Sequence, residues 1–199
     1  PRDVSELYDR LRNDSSLAGG SDEIKLNIEA GAVMGDQLLL FQRASKKGRN
    51  ALITFSLPEF LGWFTGDAAN LPKYEITPYG LPSLDGLETG FSGAVAEPGS
   101  NTVLLCASAE NTSDPVRDGR VLGSIIGKVS GLTGIPGNPV EAAALADWAE
   151  VTLEGERFSG KIESLAVMKD LAGKGMLLRA VTDDDKGGSE LLEIRISEE

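Results

Sequence analysis

The feature that most constrains the fold of this chain is a pattern that occurs three times. Each copy has a strand of small residues that ends in Ala-Val, a turn of variable length, three consecutive apolar residues and then a further strand. Short apolar runs broken by glycine, proline and aspartate indicate strands joined by turns, so we predict an all-β chain. The copies are NIEAGAVMGDQLLLFQRA (27–44), GFSGAVAEPGSNTVLLCASA (90–109) and GKIESLAVMKDLAGKGMLLRAV (160–181), and their Ala-Val pairs lie 62 and 72 residues apart.

This pattern favours a β-propeller-like arrangement. Small residues suit the innermost strand of a blade because blades converge at an axis, and a fully apolar second strand suits the blade centre, which is covered on both faces. The spacing exceeds the roughly 40–50 residues of common propeller repeats, so long connections or an extra outer strand are needed. Three similar hairpins in an unrelated β-sandwich or barrel are the alternative.

The number of copies predicts an incomplete ring. Propellers have about four to eight blades, so about three blades correspond to half of a six-bladed ring. The chain begins at Pro1 without a methionine, which we interpret as a processed or truncated N-terminus. The expected partner is then the missing half of the propeller or a second copy of the chain. We predict an N-terminal helix and linker over residues 1–20 and a propeller-like domain over 21–199, with repeats near 24–64, 73–130 and 148–199.

Helices are expected in only two places. The segment DVSELYDRLRND (3–14) begins with Asp3 as a candidate N-cap. One face of this segment is apolar, as in an amphipathic helix that packs on a core; it carries Val4, Leu7, Tyr8 and Leu11. A second short helix is predicted in PVEAAALAD (139–147), and the remainder is predicted to be β.

The composition excludes several chemistries. A net charge of −12 argues against nucleic acid or an anionic membrane as partner, because both require a basic surface. No signal peptide or run of about 20 apolar residues is visible, and the compartment cannot be read from the sequence. Because the chain has no histidine, these residues cannot assemble a Ser-His-Asp triad, a Cys-His dyad or a histidine-ligated zinc site. The single cysteine, Cys106, cannot form an internal disulfide and is expected to be a packed strand residue.

Three short motifs imitate functional sites and fail on inspection. GFSGA (90–94) has Ala94 in place of the last glycine of a nucleophile elbow, and GSIIGKV (123–129) lacks the glycine and the Ser/Thr of a phosphate loop. An EF-hand that starts at Asp183 would place Ile194 at the bidentate position. The aspartates of AVTDDDKGG are therefore interpreted as a hairpin turn.

Two further motifs link the copies to a known group of proteins. Glu29 and Glu163 occupy the same position of an inner strand, and Thr182–Asp185 closes the third copy. Over residues 25–199 the chain resembles an uncharacterised bacterial propeller family. That family is similar to the phytase-like and esterase-like six-bladed proteins, which often carry an Ile/Val-Glu-Gly-Leu/Ile-Ala inner strand and a TD(N/D)D segment. The middle copy departs, with Ser92 at the glutamate position, and Ala30 and Ser164 replace the glycine.

The equivalent glutamates suggest a site at the axis. Carboxylates from different inner strands converge there, and Ca²⁺ binds six to eight oxygen ligands. Glu29 and Glu163 are therefore the candidate metal ligands, with Asp183 as the aspartate that assists and Arg43 as a charge partner for the glutamates. The alternative is a polar channel wall that water solvates.

These observations favour a ligand- or metal-binding propeller-like protein in which any catalysis requires the complete ring. One alternative, implied by the resemblance, is a calcium-dependent phytase-like or esterase-like hydrolase with an acidic axial channel. Another is a protein-interaction scaffold that uses an exposed blade edge for self-pairing or for a partner.

Overall fold

A computed structural model describes residues 3–17, 26–44, 49–111, 120–130, 146–170, 175–184 and 186–197, and antiparallel strands dominate these ranges. The all-β class is therefore confirmed. The helices are α1 (Ser5–Arg12) and α2 (Leu57–Thr65), with a short 3-10 turn at Ser15–Leu17. The strands are β1 (Ile28–Met34), β2 (Gln37–Gln42), β3 (Ala51–Ser56), β4 (Tyr74–Pro78), β5 (Ser83–Leu84), β6 (Leu87–Glu88), β7 (Gly90–Ala96), β8 (Thr102–Asn111), β9 (Arg120–Ser130), β10 (Ala146–Glu150), β11 (Thr152–Leu153), β12 (Glu156–Arg157), β13 (Ile162–Asp170), β14 (Met176–Thr182) and β15 (Leu191–Ile196).

The strands form three main antiparallel sheets in which sequence neighbours pair. The first sheet has the order β1-β2-β3-β4, the second β7-β8-β9-β10 and the third β13-β14-β15. A two-stranded hairpin, β5-β6, precedes the second sheet, and a similar hairpin, β11-β12, precedes the third. Each of these hairpins turns through a non-glycine residue with positive φ followed by a glycine, namely Asp85-Gly86 and Glu154-Gly155.

The first strands of the three sheets lie side by side. β1 packs against β7, and β7 packs against β13. Gly93 of β7 permits the second contact, because a Cβ there would lie 2.9 Å from the carbonyl oxygen of Glu163 and 2.6 Å from Cys106 Sγ. A larger residue than glycine at this position would therefore separate β7 from β13. Within the described residues the three sheets do not close a ring or a barrel.

The cores lie between successive sheets. One apolar cluster joins the first and second sheets through Phe41 and Phe91, and another joins the second and third through Leu104 and Leu178. A third cluster covers the other face of the first sheet with helical residues, including Leu11 and Trp63. The first sheet is therefore covered on both faces.

The helix predictions met different outcomes. α1 is confirmed, with Leu7 and Leu11 buried, although Val4 holds the N-cap position and Asp3 instead accepts the amide of Ser5. The prediction that the chain is otherwise β missed α2, which begins after Ser56. The segment 139–147 lies outside the described residues except for its last two, which begin β10. Among the described helices, none has the length and apolar character to cross a membrane.

α2 carries clear helix signals that its apolar composition obscured. The Ser56 hydroxyl accepts the amide of Glu59, Pro58 lies in the first turn, and Gly66 ends the helix with φ of 93°. These are the residue types that favour helix start and stop.

Candidate functional site

The two candidate glutamates lie at β-bulges in the first strands of their sheets. The register of β1 against β2 shifts around Glu29, and that of β13 against β14 shifts around Glu163. The register of β7 against β8 shifts in the same way around Ser92. A bulge turns a side chain out of the regular alternation and increases the local twist, so it sets the direction of each of these side chains. Glu29 and Glu163 lie on β1 and β13, with β7 between these two strands.

Four charged side chains from the three sheets form what we call the charged cluster. The Arg43 guanidinium, just after β2, lies 2.9 Å from Glu110 Oε1 on β8. The Lys161 ammonium, just before β13, lies 3.4 Å from the same oxygen and 2.9 Å from Glu163 Oε1. Glu110 of the second sheet therefore pairs with one cation from the first sheet and one cation from the third.

Arg43 is held by backbone acceptors as well as by Glu110. Its Nη1 donates to the carbonyl of Phe91 at 3.1 Å and to the hydroxyl of Ser108 at 3.1 Å. The absence of a side chain at Gly90 makes room, since a Cβ there would lie 2.6 Å from Arg43 Cγ. Arg43 was predicted as a charge partner of Glu29 and Glu163, whereas the carboxylate with which it pairs in the structure is that of Glu110.

The charged cluster is largely removed from water. The side chains of Arg43, Glu110 and Lys161 are 11%, 12% and 9% exposed, whereas Glu163 is 31% exposed. Burial acts to lower the pKa of Lys161, but the hydrogen bond to Glu163 and the charge of Glu110 outweigh it and raise that pKa above its ordinary value. Lys161 is therefore charged at neutral pH, and the two cations balance the two carboxylates.

Asp183 and Asp184 lie in the connection from β14 to β15, which pair as an antiparallel hairpin as predicted. The amide of Thr182 donates to the carbonyl of Glu190 and closes the connection. Asp184 Oδ1 accepts the amides of Lys186 and Gly188, and these hydrogen bonds lower the pKa of this exposed carboxyl. Asp185 lies outside the described residues.

Asp183 lies beside the charged cluster. Its amide donates to the carbonyl of Lys161 at 3.2 Å, and the amide of Arg43 makes the corresponding hydrogen bond to Asn27 in the first sheet. The structure therefore brings Asp183, Lys161 and Glu163 to one end of the third sheet. In the part of the chain that is described, no three acidic or cysteine side chains are grouped as a metal site would require. Calcium binding by Glu29, Glu163 and Asp183 stays a prediction.

Cys106 and Ser92 have structural roles. The Cys106 thiol is fully buried on β8, accepts the Ser92 hydroxyl at 3.5 Å and donates to the carbonyl of Ile162. Burial raises the pKa of this thiol to about 12, so it remains protonated at neutral pH. Cys106 is thus a packed strand residue, as predicted, and Ser92 of the GFSGA segment is a buried strand serine.

Glu110 and Lys161 were not among the predicted site residues. Both lie near strand ends, where a charged residue is normally solvated, so their local sequence carries no signal of burial. Their relation is visible only after β8 and β13 are brought together.

The comparisons with known proteins give a family but no function. No curated protein and no solved structure matches the chain. Residues 1–196 match the family described as "Family of unknown function (DUF6929)". Because the match spans nearly the whole sequence, the chain belongs to this DUF6929 family.

Proposed function

We propose that this protein is a β-propeller-like binding domain and that it binds a cation beside Glu163. The propeller-like plan is supported by three consecutive antiparallel sheets whose first strands are neighbours and are bulged at corresponding places. The small residues at the contact between β7 and β13 agree with strands that converge toward an axis.

The charged cluster is the observation that carries the proposal. Removing a charge from water costs several kcal/mol, and well-packed apolar groups of similar volume often replace a buried ion pair without loss of stability. Holding three sheets together therefore does not by itself require four charges. Charged groups held in an unusual environment are more frequent at functional sites than elsewhere.

A cation is the ligand that fits this end of the third sheet. The Lys161 ammonium lies between the carboxylates of Glu110 and Glu163, so the fold already stabilises a positive charge there. Glu163 is the most exposed of the four side chains and is the member that a ligand reaches first. Calcium prefers carboxylate oxygens, and Asp183 and Glu29 are the proposed additional ligands.

Calcium titration tests the proposal. We expect Ca²⁺ to raise the melting temperature of the wild-type protein and to give a binding isotherm in calorimetry. Glu163→Gln should abolish both effects, and Glu75→Gln on the exposed edge of the first sheet is the matched control that should retain them. Lys161→Met removes the competing ammonium and should strengthen calcium binding. Absence of calcium binding in both the wild type and Lys161→Met would refute the proposed site.

The hydrolase alternative depends on the same titration, because a calcium-dependent hydrolase must first bind the ion. The interaction-scaffold alternative is favoured by a separate observation, the outer edge of β15.

A further inference from the structure

The outer edge of β15 differs from the edges of the other two main sheets. The first and second sheets have four strands each, whereas the third has three in the described part of the chain, where no strand pairs with the outer side of β15. Unpaired edges template association with another chain unless proline, charge or a bulge protects them. The edge strand of the first sheet, β4, ends at Pro78, and that of the second, β10, is short and carries Asp147 and Glu150.

β15 has neither a proline nor a bulge, and its two charged residues, Glu193 and Arg195, have opposite signs, whereas both charges on β10 are negative. The sequence of β15 is LLEIRI, its register against β14 is regular throughout, and Leu191 is 67% exposed. Leu192, Ile194 and Ile196 turn toward the core between the second and third sheets. Leu191, Glu193 and Arg195 therefore lie on the opposite, exposed face.

The hydrogen-bond pattern determines which backbone groups are free to pair. The Thr182 amide donates to the Glu190 carbonyl, so Thr182 and Glu190 form a hydrogen-bonded pair. In an antiparallel ladder every second pair is hydrogen-bonded, so Leu192, Ile194 and Ile196 direct their amides and carbonyls toward β14. The amides and carbonyls of Leu191, Glu193 and Arg195 then point to the open edge.

Charge selects one register for pairing with a second copy. Two antiparallel β15 strands related by a two-fold axis can hydrogen-bond only when residues with outward amides face each other. An axis at Glu193 opposes two glutamates, and an axis at Arg195 opposes two arginines. An axis at Ile194 instead places Glu193 opposite the partner's Arg195 twice, and opposite charges across strands stabilise pairing while like charges destabilise it.

We propose that β15 pairs with β15 of a second copy of this chain, centred on Ile194, to form a continuous six-stranded sheet. The segment Leu192–Ile196 reads Leu-Glu-Ile-Arg-Ile, so its apolar residues and its charges are complementary to themselves when the strand is reversed. This inference does not depend on the cation site, because no β15 residue belongs to the charged cluster.

Sedimentation with charge-reversed variants tests the dimer. We expect the wild-type protein to sediment at twice its 21.0 kDa mass and to dissociate on dilution. Glu193→Arg and Arg195→Glu each convert two attractive cross-strand pairs into repulsive ones and should raise the dimer Kd about tenfold. The double variant Glu193→Arg/Arg195→Glu restores opposite charges and should return the Kd to near the wild-type value. Glu75→Arg, on the edge strand β4, is the control that should leave the Kd unchanged.

A second measurement locates the interface. Amide hydrogen exchange of Glu193 and Arg195 should be slow in the dimer and fast in the dilute monomer, because pairing protects outward amides. Circular dichroism establishes that each variant is folded. A wild-type protein that stays monomeric up to its solubility limit, or a double variant that fails to recover dimerisation, overturns the proposal.

Discussion

Glu110 pairs with one cation from the first sheet and one from the third, and Glu110→Gln tests whether this pairing couples the three sheets. The substitution keeps the size and one hydrogen-bond acceptor but removes the charge that faces Arg43 at 2.9 Å and Lys161 at 3.4 Å. Breaking a buried ion pair by removing one partner costs about 3–5 kcal/mol. Lys161 keeps Glu163, and Arg43 keeps its carbonyl and hydroxyl acceptors, so we place the loss near the lower limit, at about 3 kcal/mol.

The assay is equilibrium unfolding in urea, followed by circular dichroism. We expect the midpoint to fall with an unchanged slope, and the melting temperature to fall by about 6–12 °C, since about 1 kcal/mol corresponds to roughly 2–4 °C in a domain of this size. Glu75→Gln is exposed and should change stability by no more than about 0.5 kcal/mol.

A double-mutant cycle with Lys161→Met separates charge from packing. Removing Glu110 and Lys161 together eliminates one cation with one anion, so the double variant should be more stable than the sum of the single losses predicts, by about 1–3 kcal/mol. A loss below about 1 kcal/mol for Glu110→Gln, or strict additivity in the cycle, would refute the view that the charged cluster couples the sheets.

Two further predictions concern the packing between neighbouring sheets. Gly93→Ala forces a methyl group against the carbonyl of Glu163, and we expect the free energy of unfolding in urea to fall by about 1–3 kcal/mol. The control is Ala94→Gly on the same strand, which adds no atoms and should cost less. Gly99→Ala is not a suitable control, because Gly99 has a positive φ. Burial raises the pKa of Cys106 and of Tyr79 to about 12 from ordinary values of 9.0 and 10.0, so unfolded chains release protons first and stability should fall as pH rises from 9 toward 12. A free energy of unfolding that stays constant over that range would contradict the second prediction.

The strands were predictable because their signals are local. Alternating or continuous apolar residues bounded by turn residues identified most strands of the three sheets, and the polar run after Thr182 identified the last hairpin. β10 was missed in part, because it begins at Ala146, within the segment 139–147 that was predicted to be helical. The bulges were not predictable, because an extra residue in a strand leaves no reliable mark on composition. Aligned on the bulges at Glu29, Ser92 and Glu163, the sheets are offset by 63 and 71 residues, so the Ala-Val pair of the middle copy was one residue out of register.

The candidate site was predictable only in part, for a reason of distance along the chain. Glu29 and Glu163 were singled out because they occupy corresponding positions in similar segments. Glu110 and Lys161 are separated along the chain by β9, β10 and the β11-β12 hairpin, and their pairing arises from the packing of β8 against β13. Long-range charge pairing of this kind depends on tertiary contacts that a single sequence does not encode in any local pattern.

The first and third sheets differ in how much of their surface is available for association. The first sheet has its second face covered by α1 and α2, so further association there would have to displace Leu11 and Trp63 from a buried core. The third sheet has an exposed strand edge at β15 and carries Glu163, the most solvent-accessible member of the charged cluster. Lys161 ties this sheet to the second through Glu110, so a cation bound beside Glu163 would act on the contact that positions the third sheet. Both the proposed binding and the proposed self-pairing therefore lie on the third sheet.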